Sequence, residues 1–143
     1  MVTAPGKNFL LVVGILYIVF AGLGFLGSAY GLLTADYWDV VLPTASGMSW
    51  SVYYTIALVG SFFHIFVGVM GVVNRARLEK ASMLRVIACI DIGYVIFGAI
   101  LSTVIFAGAF GGFVAVFTLV LGLVLPVLYL IGAQRNLTEY ASQ

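Results

Sequence analysis

Charged side chains are scarce in this sequence. Asp, Glu, Lys and Arg make up 8% of its 143 residues, whereas hydrophobic residues make up 64%. A soluble domain carries about 25% charged residues, because they cover its water-facing surface. This chain has too few charges to cover such a surface, so we expect a single domain, residues 1–143, embedded in a lipid bilayer.

The low net charge and the low number of cysteines exclude further classes of function. The net charge is only +1, which leaves no basic field to attract nucleic acid. The single cysteine, Cys89, excludes a disulfide within the chain and has no partner at a spacing typical of metal ligands. We therefore expect no nucleic-acid partner, no metal site and no cofactor.

The apolar runs predict four transmembrane helices, since a helix needs about 20 apolar residues to cross about 30 Å of hydrocarbon. The run from Phe9 is longer than a signal-peptide core of about 7–15 residues, so we interpret it as a span and not as a cleaved leader. The four spans are predicted at 9–30, 52–73, 84–106 and 113–133. The outer loop is predicted at 31–51 and the inner loop at 74–83.

The uncharged stretch after Ile92 is too long for one helix. The segment GAFGG at 108–112 predicts the turn between the third and fourth spans, because glycine tolerates the dihedral angles of tight turns. The alternative is a chain of three spans with a re-entrant segment at GAFGG.

The positions of the basic residues predict the orientation. All of them flank the same ends of the predicted spans: Lys7, Arg75, Arg77, Lys80, Arg85 and Arg135. The positive-inside rule then places both termini and the inner loop in the cytoplasm. Asn136 begins an N-glycosylation sequon, which we interpret as coincidental because this orientation makes it cytoplasmic.

The opposite side of the predicted bundle carries acidic and aromatic residues. Asp36, Trp38, Asp39 and Trp50 are expected at the outer lipid–water interface, where aromatic rings form a belt at the headgroups. We interpret this loop as an interfacial helix anchored by the two tryptophans. A partner-docking or pore-covering loop is the alternative.

A weak internal repeat accompanies this layout. The segment from Tyr17 to Gly22 resembles the segment from Tyr94 to Ala99, and residues 75–82 resemble residues 135–142. If the repeat is real, the all-α bundle consists of two tandem helical hairpins related by an axis along the membrane normal. Chance similarity between apolar helices is the alternative.

Small residues recur at helical spacing and predict the packing faces of the spans, because they let neighbouring backbones approach closely. The glycines expected at these helix–helix contacts are Gly24, Gly60, Gly68, Gly98 and Gly122.

His64 and Asp91 are the candidate functional pair. His64 is the only histidine, and Asp91 is the only carboxylate within an apolar run. Both fall on packing faces, and an antiparallel pairing of the second and third spans brings them within about 3 Å of the same level. The hydroxyl groups that could hydrogen-bond to the pair belong to Tyr17, Ser61, Tyr94 and Tyr129.

Several functions fit such a pair. It could lock helix packing, or it could carry protons or cations, since ionisable groups inside a membrane are functional candidates by default. A Ser61–His64–Asp91 hydrolase, and a metal or haem site shared between copies, are weaker alternatives.

The function we predict first is that of a non-enzymatic, multi-pass protein of a prokaryotic plasma membrane. It would associate with itself or act as an accessory subunit of a larger membrane assembly, because the inner loop at 74–83 is too short to hold a catalytic domain. The alternative is a small proton- or cation-coupled transporter or channel that uses His64 and Asp91.

Overall fold

A computed structural model describes residues 4–42, 44, 46–106 and 108–142, and within these ranges the chain is helical and contains no strand. The helices and one single-turn 3₁₀ helix lie at α1 Lys7–Leu33, α2 Ala35–Val41, α3 Trp50–Asn74, 3₁₀ Leu78–Lys80, α4 Ala81–Phe106, α5 Gly108–Gly122 and α6 Val124–Ala141. Helices satisfy their own backbone hydrogen bonds, which is what a bilayer requires of any segment that crosses it.

Four helical stretches of the described chain are long and apolar enough to cross a membrane. They are Lys7–Leu33, Trp50–Asn74, Leu78–Phe106 and Gly111–Ala141. Large apolar side chains cover the outside of the bundle, and Leu23, Leu26 and Phe113 are 61–66% exposed. The prediction of an all-α chain with four helices of membrane-spanning character is therefore confirmed.

Close backbone contact joins α1 to α3. A Cβ atom added to Gly68 would lie 2.6 Å from the carbonyl oxygen of Gly14, and one added to Gly14 would lie 2.7 Å from the carbonyl oxygen of Gly68. Farther along, Gly24 faces Ser61, which makes the two helices antiparallel. Glycine is required at positions 14 and 68 because any side chain would push the two backbones apart.

The fourth membrane-crossing stretch is interrupted. We predicted one helix at 113–133, whereas the structure has α5 and α6 separated at Leu123. Pro126 explains the break, since proline has no N–H to donate to the carbonyl of Gly122 and its ring crowds that carbonyl. Pro126 is almost fully buried, so the break lies inside the bundle.

The predicted turn at 108–112 is corrected by the structure. Residues 108–112 belong to α5, and the connection from α4 falls at residue 107, which lies outside the described residues. Glycine remains helical here because a helix satisfies its own backbone hydrogen bonds, as an apolar medium requires. Gly111 instead allows close approach, since a Cβ added to it would lie 3.3 Å from the backbone of Phe106.

Asp39 organises the end of the bundle that holds α2. Its carboxylate accepts hydrogen bonds from the backbone N–H of Trp50 at 2.8 Å and from the hydroxyl of Ser49 at 3.0 Å. The carboxylate thereby accepts a hydrogen bond from a backbone N–H at the N-terminus of α3. Its negative charge is also stabilised there by the partial positive charge of the helix dipole.

Asn136 joins three segments at the opposite end. Its side-chain oxygen accepts a hydrogen bond from the N–H of Gly6 at 2.7 Å, and its amide nitrogen donates to the carbonyl of Arg75 at 2.9 Å. Asn136 has no exposed surface, so its amide is closed to a glycosylating enzyme in this fold. One side chain thus connects the start of α1, the end of α3 and α6.

Replacing Gly68 by Ala tests the α1–α3 contact. The added Cβ meets backbone atoms that cannot rotate away, so we expect the variant to lose about 1–3 kcal/mol of stability, the usual cost of overpacking. Gly98→Ala is the matched control, because a Cβ there meets nothing within 4 Å. Thermal unfolding in detergent measures both, and equal melting temperatures for the two variants would contradict the packing described here.

Candidate functional site: a buried carboxylate among four helices

The carboxylate of Asp91 occupies the interior of the bundle, where it has no exposed surface. Its Oδ2 accepts a hydrogen bond from the hydroxyl of Tyr17, and its Oδ1 lies 3.0 Å from Nε2 of His64. Donors from α1 and α3 therefore converge on a carboxylate carried by α4. Such partners are needed because a charge removed from water without them costs many kcal/mol.

The fourth membrane-crossing stretch contributes Tyr129 to the same region. The Tyr129 ring packs edge-on against Tyr17, with ring centres 6.0 Å apart, and it also lies against Gly71 of α3. Tyr129 has no exposed surface. Tyr17, His64, Asp91 and Tyr129 form what we call the Asp91 cluster, to which each of the four stretches gives one residue.

Two polar atoms of the Asp91 cluster are not satisfied by the protein. Among the described residues, the hydroxyl of Tyr129 has no hydrogen-bond partner, and Oδ1 of Asp91 has none of good geometry despite its short distance to His64. Buried polar atoms of this kind are uncommon in proteins, so each of them calls for an explanation.

Along the helices, the Asp91 cluster lies well away from the ends. Tyr17 follows the start of α1, Asp91 follows the start of α4, and His64 precedes the end of α3, each by about 15 Å at 1.5 Å per residue. The cluster is thus roughly half a hydrocarbon thickness from the basic end of the bundle.

A cavity of about 680 Å³ adjoins the Asp91 cluster. Tyr17 and His64 line it together with apolar residues, and Gly122 and Pro126 bring the break between α5 and α6 to its wall. His64, whose side chain is 26% exposed, therefore touches both the cavity and the buried carboxylate. Irregular backbone at membrane depth is tolerated where it is buried in protein or lines a cavity, which is where this break occurs.

The chemistry available here is acid–base chemistry. A carboxylate can accept a proton, and an imidazole can pass one on because histidine exchanges protons near neutral pH. The hydroxyl of Ser61, the nucleophile of the serine hydrolase alternative, donates to the carbonyl of Ala57 at 3.0 Å.

The remaining predicted hydroxyl partner is also engaged elsewhere. The hydroxyl of Tyr94 donates to the carbonyl of Ile56 at 3.3 Å. Its ring nevertheless packs edge-on against His64, with ring centres 5.3 Å apart, and helps to fix the orientation of the imidazole. Of the four predicted hydrogen-bond partners, Tyr17 donates to Asp91. Tyr129 packs in the Asp91 cluster, but its hydroxyl bonds to none of the described residues, and the hydroxyls of Ser61 and Tyr94 donate to backbone carbonyls.

The predicted packing glycines differ in their surroundings. A Cβ on Gly60 would overlap Tyr94, one on Gly122 would lie 2.8 Å from Val95, and one on Gly24 would lie 3.3 Å from Ser61. Gly68 contacts α1 as described above. Gly98 faces no neighbour within 4 Å among the described residues, so its assignment to a helix–helix contact is corrected.

The residues predicted at the outer interface differ in their exposure. Asp36 is exposed in the first turn of α2, and Trp38 is half-buried with its ring N–H bonded to Thr34 at 3.1 Å. Trp50 is only 6% exposed and packs against the rings of Tyr53 and Tyr54, so the structure does not place it at an exposed interface. The ring of Trp50 is held inside by its N–H, which donates to the carbonyl of Leu42 at 2.6 Å, and by packing against Ala35 and Ile105.

Sequence reasoning missed two features of the functional region. One is the role of Asn136, whose partners are backbone groups of distant segments that no local pattern encodes. The other is the helix break beside the cavity. Pro126, placed within an apolar run, was an available signal for that break.

The fold and the site define an α-helical, membrane-embedded protein with a buried ionisable cluster. Comparisons with protein-family models, curated proteins and solved structures gave no match for this chain.

Replacing Tyr17 by Phe tests whether the hydrogen bond from Tyr17 to Asp91 contributes to the stability of the fold. The change removes one hydroxyl and leaves Oδ2 of Asp91 without its donor, so we expect a loss of about 1–3 kcal/mol of stability. The matched control is Tyr30→Phe on the same helix, where the side chain is 68% exposed. If melting in detergent shows equal effects for the two changes, the hydrogen bond to Asp91 does not stabilise the fold.

Proposed function

We propose that this chain is a small proton-coupled membrane protein in which Asp91 accepts a proton and His64 relays it to the adjoining cavity. The observation that carries the proposal is the position of His64, which contacts the buried carboxylate on one side and the 680 Å³ cavity on the other. An imidazole between a carboxylate and a cavity is suited to proton relay.

Two features of the surroundings support this proposal. Among the described residues, Oδ1 of Asp91 and the hydroxyl of Tyr129 have no hydrogen-bond partner, so both are open to an arriving proton. The break at Leu123 gives the fourth membrane-crossing stretch a discontinuity at the depth of the site, as in transporters whose helices are interrupted where they bind ions.

The membrane arrangement belongs to the same proposal. The basic residues at one end of the bundle favour cytoplasmic termini under the positive-inside rule, in the plasma membrane of a prokaryote. The antiparallel contacts of α1 with α3, and of α4 with the fourth stretch, are compatible with two tandem hairpins. In this orientation the Asp91 cluster would lie close to the bilayer midplane.

A second candidate is the non-enzymatic protein that associates with itself or serves as an accessory subunit. The complete burial of Asp91 favours it, because a proton acceptor has to exchange with water at some stage. In that case the Asp91 cluster acts only as a polar tether between helices, an established use of polar side chains in membranes.

Proton flux separates the two candidates. Purified protein is placed in liposomes, and flux is measured under an imposed potential and pH gradient for the wild type, Asp91→Asn and Asp36→Asn. Asp36 is the control because its carboxylate is exposed in α2, away from the Asp91 cluster. We expect wild-type flux, loss of at least about tenfold in Asp91→Asn because amides do not titrate, and no change in Asp36→Asn.

Two outcomes would contradict proton coupling. Flux that survives in Asp91→Asn would remove Asp91 from the pathway. Absence of flux in the wild type, with melting temperatures that show a folded protein, would favour the tether function.

A further inference from the structure

A second cavity lies between α4 and α6, apart from the Asp91 cluster. It is a groove of about 920 Å³. Its lining residues come from both helices and are Arg85, Val86, Cys89, Ile90, Leu130, Ile131, Gln134, Arg135 and Thr138. Nothing in the proton-coupling proposal uses this groove.

The groove is amphipathic along its length. Arg85 near the start of α4 and Arg135 near the end of α6 place two positive charges at one end, beside the polar side chain of Gln134. Val86, Ile90, Leu130 and Ile131 make the remainder of the lining mainly apolar. A ligand that fills the groove therefore needs a negative head and a hydrocarbon body.

The two arginines are available for such a head. Within the described ranges neither guanidinium lies within ion-pair distance of a carboxylate, although Glu139 is nearby on α6. The central carbon of the Arg135 guanidinium lies over the ring of Phe9, 4.6 Å from the ring centre, which is a cation–π contact and occupies no carboxylate. Arginine binds phosphate well because its donors form a planar fork.

We propose that this groove binds an anionic phospholipid, with the phosphate held by Arg85 and Arg135 and an acyl chain along Val86, Ile90 and Leu130. Charge complementarity identifies the occupant, since a zwitterionic lipid would bring its own positive group to the two arginines. Basic pockets between transmembrane helices at the cytoplasmic side are the positions where anionic lipids bind. In the proposed orientation the lipid would come from the inner leaflet.

Native mass spectrometry of the full chain in detergent tests this site. The protein is titrated with phosphatidylglycerol or with phosphatidylcholine of the same acyl chains. We expect tighter binding of phosphatidylglycerol, and an affinity lower by about tenfold or more in Arg85→Gln/Arg135→Gln, because each basic residue contributes to attraction of an anionic headgroup. Arg77→Gln is the control, since Arg77 is exposed at the same end and does not line the groove.

The single cysteine supplies a second measurement at the same place. Cys89 is exposed and lines the groove, so a bound acyl chain should slow its reaction with N-ethylmaleimide. Phosphatidylglycerol is expected to protect Cys89 in the wild type and in Arg77→Gln, but not in Arg85→Gln/Arg135→Gln. Glycerol phosphate, which has the headgroup without the chains, should not protect it.

Three results would overturn the proposal. Equal affinities for the two lipids would exclude charge recognition. Equal losses in the groove variant and in Arg77→Gln would indicate general attraction to the basic end, and protection by glycerol phosphate would make the ligand a soluble phosphate. None of these measurements depends on proton flux, so this proposal stands or fails independently of the function assigned to Asp91.

Discussion

The cost of a charged group inside a membrane governs this structure. Asp91 lies fully buried at a depth where water cannot compensate its charge, so the protein has to supply donors. It does so from neighbouring helices, through Tyr17 and His64. The two helices that carry these donors, α1 and α3, approach closely at Gly14 and Gly68. The close packing of α1 against α3 and the hydrogen bonding of Asp91 therefore involve the same helices.

Stability and function make different demands on that arrangement. A structural tether is best when every polar atom is satisfied, because an unsatisfied buried group weakens the fold. Among the described residues, Oδ1 of Asp91 has no hydrogen bond of good geometry, although it lies 3.0 Å from Nε2 of His64, and the hydroxyl of Tyr129 has no partner. Proteins tolerate such local costs where they serve a function. Under the proton-coupling proposal, the cavity beside His64 is the place where protons are exchanged.

The sequence was most informative where the membrane imposes a simple rule. Apolar runs predicted four helices of spanning character, and helical spacing placed His64 and Asp91 on inward faces at similar depth. It was less informative where the partner is distant along the chain. Asn136, for example, bonds to backbone groups of Gly6 and Arg75, which are far away along the chain. Residues 108–112 remain helical because a helix satisfies its own backbone hydrogen bonds, which outweighs the turn preference of glycine.

Infrared spectroscopy of the Asp91 carboxyl group is the most direct test of the account. A protonated carboxyl and a carboxylate absorb at different frequencies, and the Asp91 band is assigned by its loss in Asp91→Asn. Proton coupling predicts that the wild-type band changes between the two forms within the pH range in which the protein stays folded. If Asp91 keeps a single protonation state throughout that range, the carboxylate is a tether between helices and the proton-coupling account is wrong.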